Sequence, residues 1–356
     1  MKKLYNESIK LIKSQQLESG AWYASPEFSV YSYCWFRDGS YIAYSMDVAG
    51  EFEAAEGFHN WALAILSEKT DQMSQAMHVL KETGDVPEKL VLHTRYLENG
   101  LEGEMEWENH QLDGLGTWLW AFNEHRKRAS APIHKDAKRI VENLAQYLIH
   151  FWRYPCYDLW EEYGDKIHFY TLSTILAGLK AAEDITKAGY SEATEEIKKY
   201  LFDHFVSEKH FTKFGGDSRV DASMVAALVP YTVFGLDTPY MLNTLEKIKK
   251  ELYINGGVHR YVDDTYYGGG LWVLLTAWLG WYEAEQGNVD SAAKLCQWIE
   301  AQADKDFHLP EQVTEHLLDA SMLNPWIEKW GKPAQPLLWS HAMYLILCNS
   351  ISAPLL

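Results

Sequence analysis

Two segments, YDLWEE (Tyr157 to Glu162) and LPEQV (Leu309 to Val313), each set a carboxylate among aromatic or apolar residues in a stretch without helical periodicity. Carboxylates in such company are candidates for an acid and a base, because an apolar wall disfavours ionisation and keeps a proton in place. Between them lies RYVDDTYYGGG (Arg260 to Gly270), which adds an arginine, two aspartates and three tyrosines. That inventory describes a polar cleft with aromatic walls, which suits a sugar. Cleaving a glycosidic bond takes one protonated carboxyl to serve the leaving oxygen and one ionised carboxylate to activate water or attack carbon.

Composition narrows the partners. The 356 residues carry 50 acids and 32 bases, a net charge of -18. Nucleic acid and anionic membrane both need a cationic face, so neither is expected, and a small neutral ligand is. Cys34, Cys156, Cys296 and Cys348 lie far apart without a C-x-x-C pair, which fits free thiols in a reducing compartment such as the cytoplasm. None of the 14 histidines sits in an H-E-x-x-H or H-x-H arrangement, so no catalytic metal is expected. The N-terminal MKKLYNESIKLIKSQQ lacks a signal-peptide core and reads as an amphipathic helix; Trp272 to Tyr282, the most apolar window, is too short to span a membrane.

The elements that must position the carboxylates are helices. Apolar residues recur at helical spacing, as in Ile140, Val141, Leu144, Leu148 and Phe151, and alternating strand-like runs are scarce. Helical windows start near Ile9, Ser40, Ala54, Gln111, Asp136, Leu172, Ser191, Asp221, Tyr240, Leu271, Ser291 and Ser340, about twelve in all. Gly50, Gly189 and Gly287, with Gly235 as a fourth, read as left-handed corners of helical hairpins. Short corners alternate with long irregular segments at 18–37, 82–110, 153–170, 254–270 and 305–338, and long loops in a compact domain are usually functional. With no linker or low-complexity tract, residues 1–356 read as a single domain. Twelve helices in hairpins close as a double ring, with the long segments at one mouth. An open solenoid would repeat at a fixed period, and the unequal spacing of the corner glycines speaks against it.

Six segments in order also resemble glycoside hydrolase family 15, which includes the glucoamylases: CWFRDGSYIAYSMDVAG (Cys34 to Gly50), QLDGLGTWLWA (Gln111 to Ala121), YDLWEE with the following helix, RYVDDTYYGGGLWVLLTAW (Arg260 to Trp278), LPEQV, and PLLWSHAMYL (Pro336 to Leu345). The resemblance implies an all-α fold, the (α/α)6 barrel, and removal of α-linked glucose from non-reducing ends with inversion and no cofactor. It implies Glu161 as the general acid, Glu311 as the general base, and Glu162 as a substrate-binding acid. Arg37 and Asp38 stand where the family binds the terminal glucose, and Arg260 where it has a further substrate-binding arginine. Trp35, Trp160 and Tyr266 are expected in the pocket wall, since an aromatic face packs on the C–H face of a pyranose; Trp107 and Trp339 are rivals for the same role.

Each residue has a plainer reading. Glu161 and Glu162 would suit the start of a helix, where the macrodipole favours acids. Pro310 followed by Glu311 is ordinary helix-start chemistry, and Asp38 would cap a helix beginning at Gly39. Asp263 and Asp264 invite comparison with metal-binding aspartate motifs, but the spaced second set is missing. Relative to the family, no β-sandwich precedes the helices, Phe36 replaces a smaller residue, and Gly268 to Gly270 leave a bare stretch beside the tyrosines. Soluble oligosaccharides are therefore expected as substrates, with α-1,4, α-1,6 and α,α-1,1 linkages all open. A trehalase and a non-catalytic carbohydrate sensor on the same barrel remain the alternatives.

Overall fold

The computed structural model describes residues 2–103, 107–130 and 134–352. Among these are thirteen α-helices: α1 (Lys2–Ser14), α2 (Phe36–Ala49), α3 (Phe52–Glu68), α4 (Thr70–Thr83), α5 (Asp113–Ala129), α6 (Lys135–Phe151), α7 (Phe169–Thr186), α8 (Ser191–His204), α9 (Pro239–Leu252), α10 (Val273–Glu285), α11 (Val289–Ala301), α12 (Leu323–Trp330) and α13 (Leu338–Ser352). Two kinds can be told apart by how they bury their surface. In α2, α5, α7, α10 and α13 nearly every residue is buried, and these helices pack side by side as an inner ring. A 3-10 segment, Ala222–Ala227, completes the ring between α7 and α10. By contrast α1, α3, α6, α8, α9 and α11 bury one stripe each and form the outer layer, as the apolar run of α6 requires. This is an (α/α)6 barrel.

The tightest inner contact, α5 against α7, rests on two glycines. A Cβ on Gly116 would lie 2.5 Å from the Thr174 carbonyl, and one on Gly178 would lie 3.0 Å from the Gly116 Cα, so the two backbones touch. Short antiparallel strands brace the mouth. Tyr253–Ile254, Gly257–Val258, Leu271–Trp272 and Gln312–Val313 form one sheet in that order, with Val258 opposite Trp272, Leu271 opposite Val313 and Trp272 opposite Gln312. Cys34–Trp35 pairs separately with Arg95–Tyr96.

The structure departs from the sequence reading in five places. The window at Asp221 is 3-10 rather than α: Asp221 caps it, and it ends after about two turns. α4 was unmarked because only Met73 and Ala76 of its residues are buried, and α12 because Pro325 interrupts its pattern. Gly50 and Gly287 do adopt φ of 83° and 79°, but α7 is closed by Lys187 at φ 65°, not by Gly189. Its N–H bonds Glu183 O, while Thr186 Oγ1 takes the next amide. Gly235 is not left-handed either. No helix among the described residues is long and apolar enough to cross a membrane.

Candidate active site

A cavity of about 540 Å³ opens at the mouth of the barrel. All five long irregular segments contribute to it, the segment 305–338 in part through α12, by Trp326, Lys329 and Trp330. Of the segment 82–110, residues 104–106 lie outside the described residues. Trp35, Arg37, Asp38, Trp160, Glu161, Glu162, Arg260, Tyr266 and Glu311 all line this cavity, and the two rival tryptophans, Trp107 and Trp339, line it as well.

Glu161 sits on a tight turn, not a helix start. Its φ is 66°, a left-handed value that strains a non-glycine residue by on the order of 1 kcal/mol and persists only where neighbours enforce it. Asp158 does so: its Oδ1 accepts from the amides of Trp160 (2.9 Å) and Glu162 (3.0 Å). Asp158 is anchored by the buried Lys213 ammonium at 2.8 Å, which also reaches Asp221 at 2.7 Å. Asp221 in turn accepts the Trp160 indole N–H at 2.8 Å. The Glu161 carboxyl is then gripped by two further indoles, Trp35 Nε1 on Oε1 at 2.8 Å and Trp107 Nε1 on Oε2 at 2.6 Å. Burial pushes it up to about 7, against the pull of Arg37 and of donors from Gln111 and Trp35.

Glu311 lies at a bend one residue before the strand Gln312–Val313. Its amide bonds Ala334 O at 2.9 Å, and its carbonyl receives the Val273 N–H at 3.3 Å, which ties it to the N-terminus of α10. Tyr31 donates to its Oε1 at 3.0 Å and shares a 2.9 Å hydrogen bond with Tyr266. Oε2 is buried and has no protein partner. Burial pushes the carboxyl up to about 8, against the Tyr31 hydrogen bond and the Arg260 charge.

The remaining lining residues fix one another and leave donors and acceptors facing inward. Arg37 NH1 is held by Gln111 (2.8 Å) and Asp113 (3.2 Å), with its Nε 3.5 Å from Asp38. Asp38 therefore does not cap α2, which begins at Phe36; burial raises its carboxyl to about 6 against the pull of Arg37. Arg260 is clamped by Asp264, with Nε on Oδ2 at 2.7 Å and NH2 on Oδ1. It also reaches Glu162 at 3.2 Å, while Tyr261 donates to the other Glu162 oxygen at 2.5 Å. Asp264 is thus occupied by an arginine. Glu311 Oε2 and the indole nitrogens of Trp272, Trp326 and Trp339 are buried, belong to lining residues, and have no protein hydrogen-bond partner, while Arg37 Nε and Asp38 Oδ2 face only each other's charge at 3.5 Å, without a hydrogen bond. Buried polar groups are normally satisfied, so such a cluster marks where hydroxyls of a ligand belong.

Comparison with known proteins agrees with this geometry. Residues 1–322 match the description "Glycosyl hydrolases family 15". The chain belongs to this family. Isomaltose glucohydrolase of Kribbella flavida is 36% identical over 98% of this chain and 92% of its own length. A glycosidase structure with one glutamate replaced by alanine, in complex with glucose, superposes with a TM-score of 0.93 at 36% identity, covering 98% of this chain and 96% of that one. Trehalase 1 of Sulfolobus acidocaldarius is more distant, at 24% identity over 74% of this chain and 48% of the trehalase. The family 15 chain is accordingly a glycoside hydrolase of the glucoamylase type.

Several residues that shape the site escaped the sequence reading. Tyr31 lies in a segment without a recognisable motif. Lys213 and Asp158 act at one remove from the cavity, and no local pattern joins positions so far apart. α12, which covers one side of the mouth, was read as loop.

Proposed function

We propose that residues 1–356 form one catalytic unit, an inverting exo-acting α-glucosidase that releases glucose from the non-reducing ends of small soluble α-glucosides, with isomaltose and isomalto-oligosaccharides first among them. The observation that carries this reading is the pair of buried carboxyls, both raised towards neutrality, facing one cavity lined with unpartnered polar atoms. Glu161 protonates the glycosidic oxygen, presented by its two indole partners. Glu311 accepts a proton from water, with Tyr31 orienting one oxygen and the unpartnered Oε2 left for that water. Arg37, Asp38 and Arg260 hold the terminal sugar, Glu162 accepts a further hydroxyl, and Trp35, Trp160 and Tyr266 supply the walls.

An exo mode is favoured by a pocket ringed by five long segments, which admits a chain end more readily than a chain middle. The α-1,6 preference rests on the Kribbella flavida relative, and the lower identity to the trehalase places α,α-1,1 cleavage second. Cytoplasmic location is supported by four buried cysteines, all free thiols. Inversion needs room for water between the carboxyls, a separation of ~6.5–9.5 Å.

The test is a hydrolysis panel of isomaltose, maltose and trehalose, with the product anomer followed by NMR. Release of β-glucose, fastest from isomaltose, is expected. Retention of the α-anomer would overturn inversion, and binding of all three sugars without turnover would favour a carbohydrate sensor.

A further inference from the structure

Away from the pocket, three helices bring together groups of the kind that hold transition metals. Asp47 lies near the end of α2, His59 on α3 and His125 on α5, all buried. One nitrogen of each imidazole and one oxygen of the carboxylate lie within 4.8 Å of one another. His125 Nδ1 is 2.7 Å from Asp47 Oδ1, and this bond orients the ring. The rest of the cluster is unmatched. His59 is 1% exposed, yet neither of its nitrogens has a protein partner, and Asp47 Oδ2 has none either. The rings of Phe58 and Phe122, with centroids 5.6 and 5.5 Å from that of His59, offer it no hydrogen bond. One imidazole lone pair of His59 and one oxygen of Asp47, buried together without a partner, suit a ligand that accepts lone pairs. Burial holds His59 well below the usual histidine range, so its ring is neutral and able to ligate.

We propose that Asp47, His59 and His125 bind one divalent transition-metal ion of the zinc class, which staples the inner helices α2 and α5 to the outer helix α3. Two imidazoles and one carboxylate suit a borderline ion; calcium and magnesium require oxygen-rich shells. A tetrahedral ion with bonds of ~2.0–2.1 Å holds its donors roughly 3.3 Å apart, inside the 4.8 Å within which these donors already lie, so binding draws them together. Water completes the shell. Of the charged neighbours, Glu124 favours a cation and Arg128 opposes it. None of the three residues lines the catalytic cavity, so the ion acts on stability and not on turnover.

The test uses untagged full-length protein stripped with a chelator and dialysed against Zn²⁺. Elemental analysis is expected to find one equivalent retained, the thermal midpoint to rise with Zn²⁺, and Co²⁺ to give the visible absorption of a four-coordinate site. The variant His59→Phe is expected to lose the retained ion and the Zn²⁺-dependent rise while hydrolysing glucosides like the parent. Retention of less than about a tenth of an equivalent by the parent, or equal retention by the variant, overturns the proposal. Should the variant not fold, the stoichiometry and Co²⁺ spectrum of the parent decide alone.

Discussion

The two halves of the cavity handle a glutamate in opposite ways. On one side Glu161 rides a strained turn, has both oxygens taken by indole N–H groups, and is backed by the Asp158–Lys213–Asp221 clamp. On the other, Glu311 lies at a bend without a left-handed backbone, with one tyrosine on one oxygen and no hydrogen bond from the protein on the second. The difference fits the division of labour. A proton donor has to be presented at one place, whereas a base must leave an oxygen open for the molecule it activates.

The sharpest way to break this comparison is to remove each carboxyl in turn. Glu161→Gln and Glu311→Gln are each expected to lower glucoside turnover by about a hundredfold or more. They should part company on α-glucosyl fluoride, whose leaving group needs no proton. Fluoride release is expected to survive largely in Glu161→Gln and to vanish in Glu311→Gln; equal loss in both would erase the assigned roles.

Lys213→Met tests the backing that only the acid side has. It leaves Asp158 and Asp221 buried without their cation, a loss of ~3–5 kcal/mol that a thermal melt would register. The acid turn also loses its anchor, so kcat should fall by more than KM rises. An unchanged kcat would show that the turn holds itself.

The pH profile probes both sides together. The productive form has Glu161 protonated and Glu311 ionised; below about 7 both carboxyls are protonated, above about 8 both are ionised, and between them the shared proton rests more often on Glu311, so the productive form is the minor of the two singly protonated forms. A bell in kcat/KM with its maximum between those values is expected, and an optimum in the range of unperturbed carboxylates would refute it. Two smaller changes then separate the limbs. Tyr31→Phe removes a donor from Glu311, raises its carboxyl further, and should depress activity chiefly on the acidic side. Trp35→Phe does the same to Glu161 and should extend the alkaline side. Profiles of absolute kcat/KM, not scaled to their own maxima, would show the loss and the gain on opposite flanks.

Much of this was legible in the sequence because acid–base chemistry leaves local marks. YDLWEE, LPEQV and the Arg37–Asp38 pair are short, and each residue they nominated lies at the cavity. Helical periodicity likewise gave away most of the barrel, since inner and outer helices differ in how much surface they bury. What stayed hidden is non-local. Lys213 meets Asp158 across 55 residues, Tyr31 meets Glu311 across 280, and Asp47 gathers His59 and His125 from separate helices. Such meetings depend on how helices pack, which spacing along a chain does not encode. The 3-10 segment was misread for the opposite reason: its alanines and Met224 are as buried as any helix, and only the chain direction tells it apart.

That segment leaves the inner wall uneven. Five staves are α-helices of 13 to 18 residues, and the sixth has 6. Fewer amides are protected along this arc, so hydrogen exchange should begin there, before the neighbouring staves open. Because Asp221 both caps the short stave and grips the Trp160 indole, any breathing of that seam is felt one residue away from the proton donor.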